Sequence, residues 1–308
     1  MCQKHGINLT NANKQLPKRE NYSIIVTFNH EPIVENIIIL FHLYRNRFRN
    51  LIFCGSKLIE KLNFAQQEAK KFDHFTFIEI FNSFRGRYHY FCMNKAIEMG
   101  YKTQGFLLLS DDVFLKHWNL RKLNQKNVWF PSDLILNIDP NKPLKDWGHS
   151  IKGFPNLLKT WKNMEEIASN KKSSSEIEKN IIENYFKIID QNQDLGSTNK
   201  SRKIKKCGSD LFYVPKGKFS DFVFLSGMFR KYDTFLEIAV PNVLAGIERN
   251  SSVQIIKGRY VWNGAPLNFN DYDRYEVFYH PFKLSKLNRG LVGRDYCKLY
   301  LKDVFMIN

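Results

Sequence analysis

A chain of 308 residues with 43% hydrophobic and 15% aromatic content can bury a sizeable core, as one large domain or a domain with an insertion. Its 25% of charged residues is an ordinary globular share and excludes wholesale disorder. Lys and Arg outnumber Asp and Glu by 47 to 30; the net charge of +17 favours polyanions, phosphorylated small molecules or anionic membranes, or is a diffuse solvated surface.

The segment "MCQKHGINLTNANKQLPKRE" is polar and lacks the apolar core of a signal peptide, so residues 1–20 read as a flexible tail. "SIIVTF" (23–28) is a strand, followed by a helix from Glu31 to about Phe48 with Ile33, Ile37, Leu40 and Tyr44 on one side. The run "IVENIIILFHL" within it carries Glu35 and Asn36 and is too short and polar to span a bilayer. "NLIFCG" (50–55) is a second strand, and Ser56 can cap a helix through "KLIEKLNFAQQEAKKF". "FTFIEI" (75–80) is a third strand, "RYHYFCMNKAIEMG" (87–100) a helix closed by Gly100, and "GFLLLS" (105–110) a fourth strand. Strands alternating with helices of this length imply right-handed crossovers and a mostly parallel sheet with helices on both faces, an α/β, Rossmann-like fold.

The rhythm then changes. "VWFPSDLIL" reads as another strand, and "DWGHSIKGFPNLLKTW" as an aromatic loop broken by Gly and Pro. Residues 163–206 are polar and charged, which predicts a mobile insertion with one amphipathic helix presenting Ile177, Ile181, Tyr185 and Ile189. The basic run "KSRKIKK" (200–206) is a solvated loop or a contact for phosphate or an anionic membrane surface. Order returns with a strand at 209–215, helices at 219–232 and 241–249, and strands at 253–262 and 275–280. The five cysteines are scattered without ligand spacing, so Cys54 and Cys92 read as packed thiols of a reducing compartment, although one disulfide remains open.

Active sites of open parallel sheets lie beyond the carboxyl ends of the strands. Asp111 and Asp112 occupy such an end and repel each other, so they need a counter-charge. A divalent Mg²⁺ or Mn²⁺ supplies it and can bridge a departing diphosphate; alternatively, one of the two caps a following helix. After the first strand "TFNHEP" matches neither GxGxxG nor GxxxxGK[ST], and no serine elbow occurs, which argues against a dehydrogenase, a P-loop NTPase or a serine hydrolase. In "FRGRYHY" (84–90), Arg85 and Arg87 either hold an anion at a helix start or are solvated. In "YHPFKLSKL" (279–287), His280 and Lys283 can give one imidazole ligand and one ammonium to the same diphosphate. Glu237 in "FLEIAVP" can orient or deprotonate an acceptor hydroxyl, or simply face a helix dipole. Asp210 is a second acceptor-side candidate, and Trp262 stacks on a sugar or fills the core.

"SDDV" after a leucine-rich strand looks like the Asp-x-Asp motif of GT-A glycosyltransferases. "HPFK" is similar to the His-x-x-Gly-x-x-Lys element of several such families, with the Gly absent and the spacing shorter. The blocks "RGRYHYFCMNKAIEMGYKTQGFLLLSDDVFLKHWNL", "SDLFYVPKGKFSDFVFLSGMFRKYDTFLEIAVPNVL" and "YHPFKLS" together resemble the STELLO-type glycosyltransferases. That resemblance implies a single GT-A-like domain over 21–308, with a nucleotide-sugar half at 21–132 and an acceptor half at 207–308. It implies a transferase that uses Mn²⁺ or Mg²⁺ and a nucleotide-diphosphosugar donor, with a glycan, lipid or protein acceptor and no specific nucleic acid. Asp112 would be the principal metal ligand and His280 the further one. Asp111 would support the metal or touch the sugar nucleotide, with Lys283 on the diphosphate; Arg85 and Arg87 join the anion only on the residue-level reading above. Thr27 and Asn29, in the stretch Thr27 to His30, would meet base and ribose. Ser110 stands at the first motif position, where a carboxylate is reduced to a hydroxyl contact. The resemblance suggests the Golgi lumen; a chain complete as given would be cytoplasmic. The rivals are a nucleotidyltransferase or metal-dependent nuclease, which wants a third carboxylate near the pair, and a non-catalytic basic binding protein.

Overall fold

A computed structural model describes residues 19–56, 76–81, 84–131, 136–140, 148–193, 201–261, 275–284 and 296. The helix expected after Ser56, most of the N-terminal tail and Trp262 lie outside the described residues.

The first four strands, β1 (Ser23–Thr27), β2 (Leu51–Gly55), β3 (Thr76–Glu79) and β4 (Gly105–Ser110), pair in parallel with β1 between β4 and β2. Their side chains alternate between two buried faces: Ile25, Ile52, Phe106 and Leu108 point one way, Ile24, Val26, Leu107 and Leu109 the other. Such unbroken greasy strands need cover on both sides, and the helices supply it. Helix α1 (Val34–Tyr44) packs on the second face through Ile37, Leu40, Phe41 and Tyr44. The first face receives α2 (His89–Glu98) and four later helices. The sheet continues through β9 (Leu211–Pro215), antiparallel to β4, to β6 (Trp129–Phe130) and β10 (Gln254–Ile255), giving the order β10-β6-β9-β4-β1-β2-β3. A small sheet joins β5 (Phe114–Leu115), β12 (Phe278–His280) and β11 (Gly258–Tyr260), and β7 (Leu136–Ile138) pairs with β8 (Ile204–Lys206). The mostly parallel α/β sheet read from the sequence is present.

Several local expectations change. From Gly148 onward, the stretch expected as an aromatic loop is part of α3 (Gly148–Ala168), which continues through Pro155. Phe154, Leu157, Trp161, Met164 and Ile167 recur at helical spacing and are all buried, so packing overrides the breaker signals. Helix α4 (Glu176–Asn192) starts with a capping box in which Ser175 and Glu178 satisfy each other's backbone N–H. It is an integral layer rather than a loose excursion: Ile182, Tyr185, Phe186 and Ile189 enter the core, while Ile177 is exposed. The Tyr185 hydroxyl accepts from Trp161 Nε1 at 2.8 Å, tying α4 to α3.

Within the basic run, Arg202 is paired to Asp190 and Glu165 at 2.6 and 2.7 Å. Lys205 is buried and donates to Asn250. These charges serve the internal structure. After α5 (Phe219–Lys231), helix α6 (Leu236–Ile247) begins five residues earlier than expected and carries Pro241 inside it. The expected strand at 253–262 divides into β10 and β11, in different sheets. Gly258 lies against the Phe278 ring so closely that a Cβ there would stand 2.1 Å from it, hence the absence of a side chain. Likewise "VWFPSDLIL" gives β6 and β7, with residues 132–135 outside the described set.

Cys54 and Cys92 form a disulfide between β2 and α2, instead of the two packed thiols the sequence suggested. Both sit at the sheet–helix interface with no exposure, and their Cα atoms, 6.0 Å apart, are within bridging reach. No described helix is long and apolar enough to cross a membrane.

Candidate functional site

Strand register gathers the chemistry at one end of the sheet. Thr27 and Ser110 are partners at the carboxyl ends of the parallel pair β1–β4. Strand β9 runs the other way, so the residue before it, Asp210, arrives at that same end and its carbonyl accepts from Ser110 N at 2.8 Å. Asp111 N donates to Thr27 O at 2.8 Å, and Phe282 N to Asp112 O at 2.6 Å, which docks the chain after β12 onto the acid pair. Four segments distant in sequence therefore meet where the sheet changes direction, the position at which open α/β sheets bind ligands.

Asp112 is 3% exposed; its Oδ1 lies 3.1 Å from His280 Nε2 and its Oδ2 is ion-paired with Lys283. Asp111 is equally buried, with Oδ2 3.2 Å from His30 Nε2. Its Oδ1 is buried and makes no hydrogen bond among the described residues. Asp210 Oδ1 accepts from Ser110 Oγ at 3.1 Å and stands 3.5 Å from His280 Nε2. Three carboxylates thus face two histidines and one lysine, and each carries a different balance. Burial pushes Asp112 upward, but the hydrogen bonds and charges of His280 and Lys283 outweigh it and hold the carboxyl well below its usual range. Asp111 and Asp210 are raised, chiefly by burial. The hydrogen bond to Asp111 lifts His30 to about 8. Burial depresses His280, yet Asp210 and Asp112 more than offset it, so it too is raised.

The other residues singled out in the sequence fall as follows. Thr27 is buried, with Oγ 3.0 Å from His89 Nδ1 and 3.2 Å from Leu109 O. Asn29 is half-buried, and its carbonyl accepts from Arg85 N at 2.7 Å. Arg85 is exposed, at a left-handed φ of 57°. Arg87 does not join the acids: its guanidinium forms a two-pronged pair with Asp233. Glu237, in the first turn of α6, is half-buried, and its charge acts together with that of Asp210 on Tyr260. The cluster proper is His30, Ser110, Asp111, Asp112, Asp210, His280 and Lys283.

Two features escaped the sequence. A third carboxylate does lie beside the pair, because Asp210 shares His280 with Asp112; only the antiparallel placement of β9 reveals it. His89, a histidine in an otherwise apolar helix start, is completely buried beneath Thr27.

Among the described residues, no three His, Cys, Asp or Glu side chains are grouped as a ready metal cage. Mg²⁺ and Mn²⁺ do not need one, since they keep waters and phosphate oxygens and take only one or two side chains from the protein. Asp112 beside His280, with the unengaged buried oxygen of Asp111 nearby in sequence, is a donor set of the right hardness and charge.

A family model described as STELLO glycosyltransferases matches residues 3–141. Two curated relatives from Arabidopsis thaliana, "Probable glycosyltransferase STELLO1" and "Probable glycosyltransferase STELLO2", are each 22% identical over 287 and 289 residues. Each match covers 91% of this chain and 32% of the relative, so the chain spans about a third of their length. Among solved structures, core-mannan synthase A from Aspergillus fumigatus, in a Mn/GDP form, aligns over 79% of this chain and 74% of its own, with 11% identity and a TM-score of 0.39. The resemblance carried by "SDDV", the blocks around it and "YHPFKLS" is borne out: in sequence, this chain is similar to the STELLO glycosyltransferases.

Proposed function

We propose that the acid cluster at the end of β4 is the donor site of a metal-dependent glycosyltransferase that moves a sugar from a nucleotide-diphosphosugar to an acceptor. The observation that carries this reading is Asp112, buried and ionised between His280 and Lys283 in a chain similar to the STELLO family. Asp112 and His280 would hold Mn²⁺ or Mg²⁺. That ion, when bound, supplies the positive charge that stabilises a leaving diphosphate. Lys283 is 40% exposed at its side chain, so its ammonium can leave Asp112 for a phosphate oxygen. Asp111 offers its unengaged oxygen to a hydroxyl of the sugar nucleotide, and Thr27 and Asn29 line the floor at the end of β1. Glu237 and Asp210 stand on the acceptor side, where a glycan, lipid or protein hydroxyl would enter. A lumen that oxidises thiols, such as the secretory pathway including the Golgi, suits the Cys54–Cys92 disulfide.

The test is a thermal-shift panel of UDP- and GDP-sugars, and of UDP and GDP, with and without Mn²⁺. The wild type should be stabilised only when metal and nucleotide are both present, and Asp112→Ala should lose the effect. Unchanged stabilisation in the mutant would sink the reading. One observation favours a second reading: the third carboxylate, Asp210, is what a metal-dependent nucleotidyltransferase or nuclease would require. Products separate the two, since a glycosyltransferase releases a nucleoside diphosphate, whereas attack on the α-phosphorus releases a monophosphate or a nucleotidyl product.

A further inference from the structure

We infer that His89 is a positioning residue for the donor floor, fixing the carboxyl end of β1 where the nucleotide would lie; this rests on the donor-site reading. The ring is completely buried at the first residue of α2 and touches the last residue of β1 and the residue after it. Nδ1 lies 3.0 Å from Thr27 Oγ, and Nε2 lies 3.3 Å from the Phe28 carbonyl. A carbonyl only accepts, so Nε2 carries the proton and donates to Phe28 O, which leaves Nδ1 an acceptor that shares the one Thr27 hydroxyl proton with Leu109 O, 3.2 Å from the same oxygen. Burial keeps the ring neutral by pushing its pKa down to about 4, in keeping with a single tautomer.

The surroundings explain why this histidine can hold a strand end rather than merely rest against it. Arg85 and Tyr88, both non-glycine residues at left-handed φ of 57° and 68°, bend the chain so that α2 starts beneath β1. Arg85 N also donates to Asn29 O at 2.7 Å, so the loop grips the residue after the two that His89 holds. Cys92, three residues on and hence on the same helix face, is bonded to Cys54. The Cys54 carbonyl in turn accepts from Phe28 N at 2.9 Å. Thr27, Phe28 and Asn29 are therefore all tied, directly or through β2, to one loop–helix unit. The Thr27 carbonyl also takes the Asp111 N–H at 2.8 Å, so a shift at Thr27 reaches the acids. The arginines of "FRGRYHY" pointed the sequence reading toward an anion; the structure gives the loop this second task.

Two readouts test the inference on the full chain: hydrogen exchange of the 27–30 amides without ligand, and calorimetric affinity for UDP and GDP with Mn²⁺. His89→Ala should lose at least tenfold of the exchange protection and at least tenfold of the nucleotide affinity. His89→Gln, which keeps one donor and one acceptor, should recover most of both. His117→Leu is the control: that histidine is also buried, beside Phe48 and Trp118, and its loss should lower Tm without changing nucleotide affinity. Unchanged protection in His89→Ala overturns the clamp, and lost protection with wild-type affinity overturns its positioning role. Equal loss of affinity in His117→Leu also overturns it, by making the effect one of general stability. A wild type that binds neither nucleotide sinks the donor reading itself, a failure visible before any variant is made.

Discussion

Asp112 and Asp233 carry the same inventory, a carboxylate met by one basic side chain and one further donor, yet they are opposite kinds of site. Asp112 is 3% exposed at its side chain and meets Lys283 and His280; Asp233 is 43% exposed and meets Arg87 and the Tyr88 hydroxyl. Arg87 grips with a planar fork and lies over the Tyr88 ring, a geometry that locks the loop before α2 to the turn after α5. Lys283 is a point charge on a flexible stem, able to leave for another anion. The first pair stands where the sheet changes direction, the second between helix ends. Place and burial, more than the count of charges, separate the proposed binding site from a brace.

The largest expected effect is at Asp112. Asp112→Asn should weaken Mn²⁺-dependent nucleotide binding by roughly a thousandfold, about 4 kcal/mol, by calorimetry. Asp233→Asn should leave that affinity within about twofold, and equal losses in the two variants would erase the distinction. The next effect concerns the scaffold beneath the buried pair. Removing the Cys54–Cys92 bridge, whose partners are 38 residues apart, should cost about 3–4 kcal/mol of stability in denaturant unfolding. A third test uses pH. Burial depresses His89 to about 4 and His117 to about 3 from 6.5, so the unfolded chain takes up these protons first. His30, raised to about 8, gives the opposite slope above pH 6.5. The share of stability set by His89 and His117 should be full above about pH 6.5 and fall as pH drops toward 4, by on the order of 3 kcal/mol each. His89→Gln and His117→Leu should each flatten that slope. The smallest effect is expected at the brace: Arg87→Ala should cost only about 0.5–1 kcal/mol, because the pair is substantially exposed. A loss as large as that of the bridge would make Arg87 a keystone of the fold.

What the sequence disclosed follows from the range of the interactions. Strands β1 to β4 were legible because each is a local greasy run with turn signals, and their parallel pairing was legible because helices long enough to cross over stand between them. Asp112, His280 and Lys283 were legible through the resemblance of their blocks. Helix α3 was hidden because Gly153 and Pro155 look like breakers, whereas Gly153 lies against Phe235, where a Cβ would approach to 2.9 Å. The disulfide was hidden because spacing does not reveal that α2 crosses the end of β2. His89 was hidden because a histidine in an apolar helix looks the same whether it packs or holds a strand.

Ser110 and Asp210 show how a chemical signature can be divided between strands. The acid run offers a serine where the Asp-x-Asp motif has a carboxylate, which by itself looks like a loss. One hundred residues later Asp210 accepts a hydrogen bond from that serine's hydroxyl at 3.1 Å, so a carboxylate stands beside the place after all, delivered sideways. A pattern read along the chain sees only the gap. A signature of this arrangement therefore needs two lines, Ser-Asp-Asp ending one strand and Ser-Asp entering its antiparallel neighbour.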